Sequence, residues 1–209
     1  ANRCGFCLAS YLNLPLRCIP YEELLKTVEL GLQHTNKIAL LGAQISAHPH
    51  FNDICKFVYE KIQTGCNIEM SVSSLRVDAI TPDVVKTFVS AGQKNTTLAI
   101  EAGSERLRKV INKNLSEEQI FNAVKIARDN GLKGIKFYGM IGLPTETTED
   151  LCAIIELARR LKSENKGFDI SFGFSSFVPK PHTPFQWFGR ENTKSLEEKS
   201  NFLKKELHK

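Results

Sequence analysis

The chain is expected to fold as an α/β protein: a partial (β/α)6 TIM-like barrel with parallel strands, its first strand lying ahead of residue 1. Three observations predict this. Short apolar runs alternate with amphipathic helical patterns through most of the 209 residues. The apolar runs recur at intervals of about 29 to 38 residues, against roughly 31 residues per unit of a complete (β/α)8 barrel. Polar and glycine-bearing segments directly follow the apolar runs, at the strand ends where barrels and open α/β sheets bind ligands. Periodicity alone leaves a doubly wound open sheet as the alternative.

The elements can be taken in order. A two-cysteine segment opens the chain and should follow a strand, which places one strand upstream of Ala1. Leu24, Leu25, Val28 and Leu32 mark the face of a first helix, and Lys37–Leu41 a first strand. Ile54, Phe57, Val58 and Ile62 predict a second helix, and Asn67–Val72 a second strand. Thr81-Pro82 supplies an N-cap with proline at the first helical position, ahead of Val84, Val85, Phe88 and Val89. Thr96–Ile100 is a third strand. Ser116 and Gln119 form a capping box for the helix carrying Ile120, Val124 and Ala127. Gly134–Ile141 is a fourth strand. Thr147 or Thr148 caps a helix bearing Leu151, Ile154, Ile155, Ala158 and Leu161, with Glu149 and Asp150 at its positive end. Asp169–Phe177 is a fifth strand. Gly92 and Gly131 stand where helices should stop. Residues 1–190 read as one domain truncated at its N-terminus, and residues 191–209 as a C-terminal helical extension.

Composition narrows the function classes. Hydrophobic residues at 42% and charged residues at 24% are ordinary for a globular domain. No apolar run reaches membrane-span length, and no signal pattern opens the chain, so a cytoplasmic location without membrane partners is expected. The charge of +5 is spread along the chain and does not support nucleic-acid binding. Lys204, Lys205 and Lys209 are interleaved with Glu197, Glu198 and Glu206, which suits a solvated amphipathic helix. Of the six cysteines only Cys4 and Cys7 have ligand spacing; Cys55, Cys66 and Cys152 read as small buried hydrophobes.

The strand ends carry the chemistry. Arg3-Cys4-Gly5-Phe6-Cys7 sets two thiolates around an aromatic residue. A cysteine at the position before Ala1 would complete C-x3-C-x-aromatic-C, with Ala1, Asn2 and Arg3 as the spacer. Gly42-Ala43-Gln44, with Ser46, follows the first visible strand and offers close backbone approach and hydrogen bonds, though a plain turn would read the same. Ser73, Ser74, Arg76 and Asp78 follow the second and suit either a polar ligand or an Arg76–Asp78 pair. Glu101 directly follows an apolar run, so its carboxylate should enter the mouth of the barrel. There it needs a partner, and a ligand is favoured over an ion pair. Gly139 to Glu146 presents glycine backbone at a strand end, fit to read a flat base by its edge while Ile141 packs on its face. Three prolines stiffen the loop from Val178 to Trp187, in which His182 reads as a loop hydrogen-bonder.

In this order the motifs resemble those of the radical S-adenosylmethionine superfamily, of the Elp3/MiaB-like type. The Phe177 to Trp187 stretch resembles a subgroup often linked to a cobalamin-binding-like domain. The resemblance implies a 4Fe-4S cluster held by Cys4, Cys7 and the upstream cysteine, with one iron left open to S-adenosylmethionine. By position it assigns Gly42, Ala43 and Gln44 to the methionine amino group, although the family pattern often has glutamate where Gln44 stands. It assigns Glu101 and Ser104 to the ribose or methionine end, Lys113 to the carboxylate, and Ile141 and Gly142 to adenine. It implies reductive cleavage to a 5′-deoxyadenosyl radical that abstracts hydrogen from an unknown substrate, an electron donor such as flavodoxin or ferredoxin, and cobalamin only through a domain outside this chain. The rival readings are a thioredoxin-like dithiol protein, a zinc module for which further paired ligands are missing, and a cluster-binding fragment without catalysis.

Overall fold

The computed structural model describes residues 3–208; the spacer residues Ala1 and Asn2, and Lys209, lie outside them. The chain runs through α1 (Ala9–Leu12), α2 (Tyr21–Leu32), β1 (Lys37–Leu40), α3 (Phe51–Gln63), β2 (Glu69–Val72), β3 (Ser74–Leu75), α4 (Pro82–Ser90), β4 (Asn95–Glu101), α5 (Glu105–Val110), α6 (Glu117–Asp129), β5 (Gly134–Ile141), α7 (Thr148–Glu164), β6 (Asp169–Ser176) and α8 (Thr193–Leu207). Each of the five strands expected within the chain is present; the strand expected ahead of Ala1 lies outside the described residues. The second is divided by Ser73 into β2 and β3, because its two halves pair with different neighbours.

β1 pairs in parallel with β2, β3 with β4, β4 with β5, and β5 with β6. Since β2 and β3 form one path, strand order in space follows chain order without reversal. A doubly wound sheet reverses at a switch point. The open-sheet alternative is thereby excluded, and the strands form the wall of a partial parallel barrel.

Alternation along the strands separates two faces. Leu98, Ile100, Ile135 and Phe137 point outward and are buried with Val84, Val85, Phe88, Ile120, Val124, Leu157 and Leu161 of the helices. Each such side chain contributes about 1.5–3 kcal/mol of burial. The opposite, inner face carries Thr97, Ala99 and Glu101 on β4, Lys136, Tyr138 and Met140 on β5, and Ser171, Gly173 and Ser175 on β6. It is polar, small and more exposed.

The helix signals hold in detail. Thr81 accepts from the Val84 amide, and Ser116 and Gln119 form the capping box. Thr147 rather than Thr148 caps α7, paired with Asp150. Gly92 and Gly131 adopt φ of 84° and 98° at helix ends. Two expectations are corrected. Of the three cysteines expected as small buried hydrophobes, Cys66 and Cys152 are exposed and Cys55 alone is buried. Cys66 lies in the turn after Gly65, and Cys152 sits one position off the buried Leu151–Ile155 face of α7. Similarly, of the four residues marking α2 only Val28 is buried, the others lying on a half-covered surface. The segment expected as a C-terminal extension contributes α8, whose Leu196 and Leu203 pack into one cluster with Ile141, Leu151 and Ile154.

Candidate functional site

A cavity of about 200 Å³ opens at the carboxyl ends of the strands, lined by Cys4, Cys7, Ala43, Gln44, Ser46, Arg76, Ala99, Glu101 and Lys113. Leu14 and Leu16, from the strap between α1 and α2, close one side.

The cysteine loop is held from two directions. The Cys7 amide donates to the Cys4 carbonyl at 3.0 Å, turning the chain so that both thiols reach the cavity. The Gly5 amide donates to the Ile111 carbonyl (2.9 Å), and the Phe185 amide donates to the Gly5 carbonyl (3.0 Å). A Cβ on Gly5 would stand 2.6 Å from the Phe185 ring, so only glycine fits between the cysteines here. Phe185 in turn packs edge-on against Phe177 and Phe188. Burial pushes the Cys4 thiol above its usual range; Lys113 pulls it down, and Glu101 and Cys7 push it up. Binding a cationic metal removes that penalty, because the ligand is then a neutralised thiolate.

Glu101 ends β4 at a bulge, with φ of 68°. The Lys113 ammonium lies 3.0 Å from its carboxylate, and both side chains are about seven-eighths buried. Glu101 therefore has an ion-pair partner as well as a place in the cavity wall. The segment joining them is fixed by the fully buried Arg108, which donates to the carbonyls of Ala102 (2.9 Å), Gly103 (2.7 Å) and Leu115 (2.8 Å). Burial lowers the Arg108 pKa, and three carbonyl acceptors compensate its charge. Across the cavity, Ser46 accepts from the Arg76 amide at 3.2 Å, and the Arg76 guanidinium is forked onto Asp78.

Six of the ten residues singled out in the sequence share this cavity: Cys4, Cys7, Ala43, Gln44, Glu101 and Lys113. Gly42, Ser104, Ile141 and Gly142 are outside its lining. Ser104 caps α5 by accepting from the Leu107 amide, and its hydroxyl donates to Asp150. Ile141 faces outward among Leu151, Ile154 and Leu196. The Gly142 amide (φ 74°) donates to Glu146 at 2.9 Å, and a Cβ there would meet Leu196 at 2.7 Å. Lys199 of α8 bridges Glu146 (2.7 Å) and Glu191 (2.6 Å), locking this turn from behind. His182 donates its amide to Gln186 and is exposed, as expected of a loop hydrogen-bonder. Sequence reasoning missed the Leu14–Leu16 wall and the clamp of Phe185 on Gly5. The glycine between the cysteines was the one available signal for the clamp.

Thiolates are soft ligands suited to iron–sulfur clusters. Among the described residues no group of three His, Cys, Asp or Glu side chains converges, so these residues supply two thiols.

A family model of the Radical SAM superfamily matches residues 1–158, and the chain belongs to that superfamily. It is 34% identical over its whole length to an uncharacterized protein of Methanocaldococcus jannaschii, covering 45% of that protein. It is 22% identical to a tRNA-2-methylthio-N(6)-dimethylallyladenosine synthase of Fusobacterium nucleatum, over 78% of this chain and 40% of the synthase. The chain thus spans less than half the length of these relatives. The cobalamin-dependent S-adenosylmethionine radical enzyme OxsB shares its fold, with a TM-score of 0.69 at 14% identity over 96% of this chain and 34% of OxsB. No helix among the described residues is long and apolar enough to cross a membrane.

Proposed function

We propose that the chain is the catalytic core of a radical S-adenosylmethionine enzyme. The observation that carries this reading is the convergence of Cys4 and Cys7 with Gln44, Glu101 and Lys113 on one cavity at the carboxyl ends of the strands. When bound, the 4Fe-4S cluster and S-adenosylmethionine supply a 5′-deoxyadenosyl radical that takes a hydrogen atom from substrate.

The chain's own residues bind and orient. Cys4 and Cys7 donate two thiolates, and the motif assigns the third to a cysteine preceding Ala1. Ala43 and Gln44, following Gly42, offer carbonyl and amide oxygens to an ammonium group. Lys113 meets a carboxylate, and Glu101 holds Lys113 in place and accepts from hydroxyls. Ser104 acts on this wall through its cap and its bond to Asp150. Because the Ile141 side chain faces α7 and α8, contact with adenine from Ile141 and Gly142 is through backbone. The Leu14–Leu16 wall gives the cavity an apolar side.

The reductant is a small electron-transfer protein of the flavodoxin or ferredoxin kind. A reducing, cytoplasmic setting suits six free cysteines. The likeness to OxsB supports a cobalamin domain elsewhere in the full protein.

The test uses the polypeptide with its upstream cysteine. Iron and acid-labile sulfide should reach four of each per chain, and Cys4→Ala or Cys7→Ala should abolish both along with 5′-deoxyadenosine formation. Glu101→Ala should retain the cluster and weaken S-adenosylmethionine binding about tenfold or more. Absent iron with reversible dithiol oxidation would instead establish the thioredoxin-like reading.

A further inference from the structure

The inner wall of the barrel and the cofactor cavity at its mouth carry several charges, and most are matched. Lys37 pairs with Glu69 (3.3 Å), Arg76 with Asp78, and Lys113 with Glu101. Lys136 differs. It lies on the inner face of β5 between the outward-facing Ile135 and Phe137, and among the described residues no carboxylate pairs with it. Its ammonium sits over the Tyr138 ring, 5.0 Å from the centroid. Tyr138 is 45% exposed, and its hydroxyl has no hydrogen-bond partner among the described residues.

The neighbouring strand makes room for this pair. Gly173 of β6 stands opposite Tyr138 in register, and a Cβ there would come within 3.2 Å of both Lys136 Cε and Tyr138 Cε1. Glycine at 173 lets the lysine stem and the phenol ring lie flat against the sheet, so the ammonium turns along the strand toward the carboxyl ends. On the other side Tyr138 stands opposite Ala99, which lines the cofactor cavity. The pair is thus one strand position from the cavity wall.

An exposed ammonium with no carboxylate partner, beside a free phenol hydroxyl, presents donors and no strong acceptor. Charge-assisted hydrogen bonds to an anionic oxygen are the contacts it can make best. We propose that Lys136 and Tyr138 form the substrate-anchoring subsite of the barrel, and that the substrate carries an anionic group, carboxylate or phosphate. This rests on the reading of the adjoining cavity as the reaction site. Small hydroxyl side chains around the pair, Thr97, Ser171 and Ser175, suit a polar substrate body.

The experiment titrates the chain with inorganic phosphate and, separately, with acetate, following the amide resonances of Ala99, Tyr138 and Gly173 by NMR. Saturable shifts in the millimolar range with at least one anion are expected. Phosphate alone would assign a phosphorylated substrate, acetate alone a carboxylic acid, and both an anion site of relaxed geometry. Lys136→Gln should weaken the binding at least about tenfold and Tyr138→Phe severalfold, whereas Lys86→Gln on α4 should leave it unchanged. The absence of saturable shifts, or equal binding by Lys136→Gln, overturns the proposal. Neither outcome depends on cluster loading, so failure here is distinguishable from failure of the cofactor reading.

Discussion

The two sides of the barrel are built to different standards. β4, β5 and β6 are seven to eight residues long and paired along nearly their whole length. Behind them lie three side-chain locks: Arg108 on the Ala102–Gly103 turn, Asp150 between Ser104 and Arg106, and Lys199 on Glu146. By contrast, β1 and β2 have four residues each, and the strap leading into α2 exposes Leu12, Leu14, Leu16 and Ile19. Among the described residues one side-chain bond holds that strap near its end: His48 Nε2 donates to the Ile19 carbonyl at 2.9 Å, while Nδ1 accepts from the His50 amide. The braced side carries Glu101 and Lys113, which need fixed geometry. The loose side carries Gln44 and the strap. Fewer buried contacts and shorter strands lower the cost of local opening, so the two sides should differ in local stability.

The largest expected effect breaks the braced side. A Cβ at Gly103 would stand 2.3 Å from the Ile154 amide nitrogen and 2.6 Å from its Cα, both backbone atoms that cannot yield locally. Gly103→Val should therefore destabilise the fold by about 3 kcal/mol or more, read as a lowered urea midpoint. A smaller effect sharpens the comparison through pH. Burial pushes the Asp150 carboxyl up, but hydrogen bonds from Arg106, Ser104 and the Thr147 amide outweigh it and hold the pKa below the usual range. A depressed carboxylate contributes its full stability above its unfolded value of about 4 and loses it as pH falls through the folded one. Asp150→Asn should cost about 1–2 kcal/mol at neutral pH, with a flatter loss of stability below pH ~4, measured by denaturant titration at stepped pH. The smallest effect belongs to the loose side. His48→Ala should cost under about 1 kcal/mol yet speed hydrogen exchange in residues 14–19, leaving β4 and β5 protected. Equal acceleration in both regions would remove the distinction.

Much of this was legible in the sequence, for identifiable reasons. Strand and helix identities followed from period, and capping residues placed the starts at Thr81 and Ser116, because both signals are local. Strand order was not legible from period and needed the pairing of β3 with β4 to settle it. Gln44 and Glu101 could be found because ligands gather at strand ends, Cys4 and Cys7 by their spacing, and Lys113, between two helices, only through the family resemblance. Ser104 and Ile141 sit at strand ends too, but a cap and an outward pleat direct their side chains elsewhere. One residue of register decides which face a side chain takes, and sequence spacing does not fix that register at a bulge such as Ala99–Glu101. The Lys136–Tyr138 pair escaped notice since nothing in its own strand announces Gly173 opposite.

The Gly5–Phe185 clamp ties the beginning of the chain to a loop that follows the last strand. During synthesis the first cysteines leave the ribosome long before Phe185 does. Until that phenylalanine arrives, the loop between the cysteines rests on the Ile111 carbonyl alone. A chain ending before Phe185 would therefore lack one of the two backbone bonds that seat the cysteine loop.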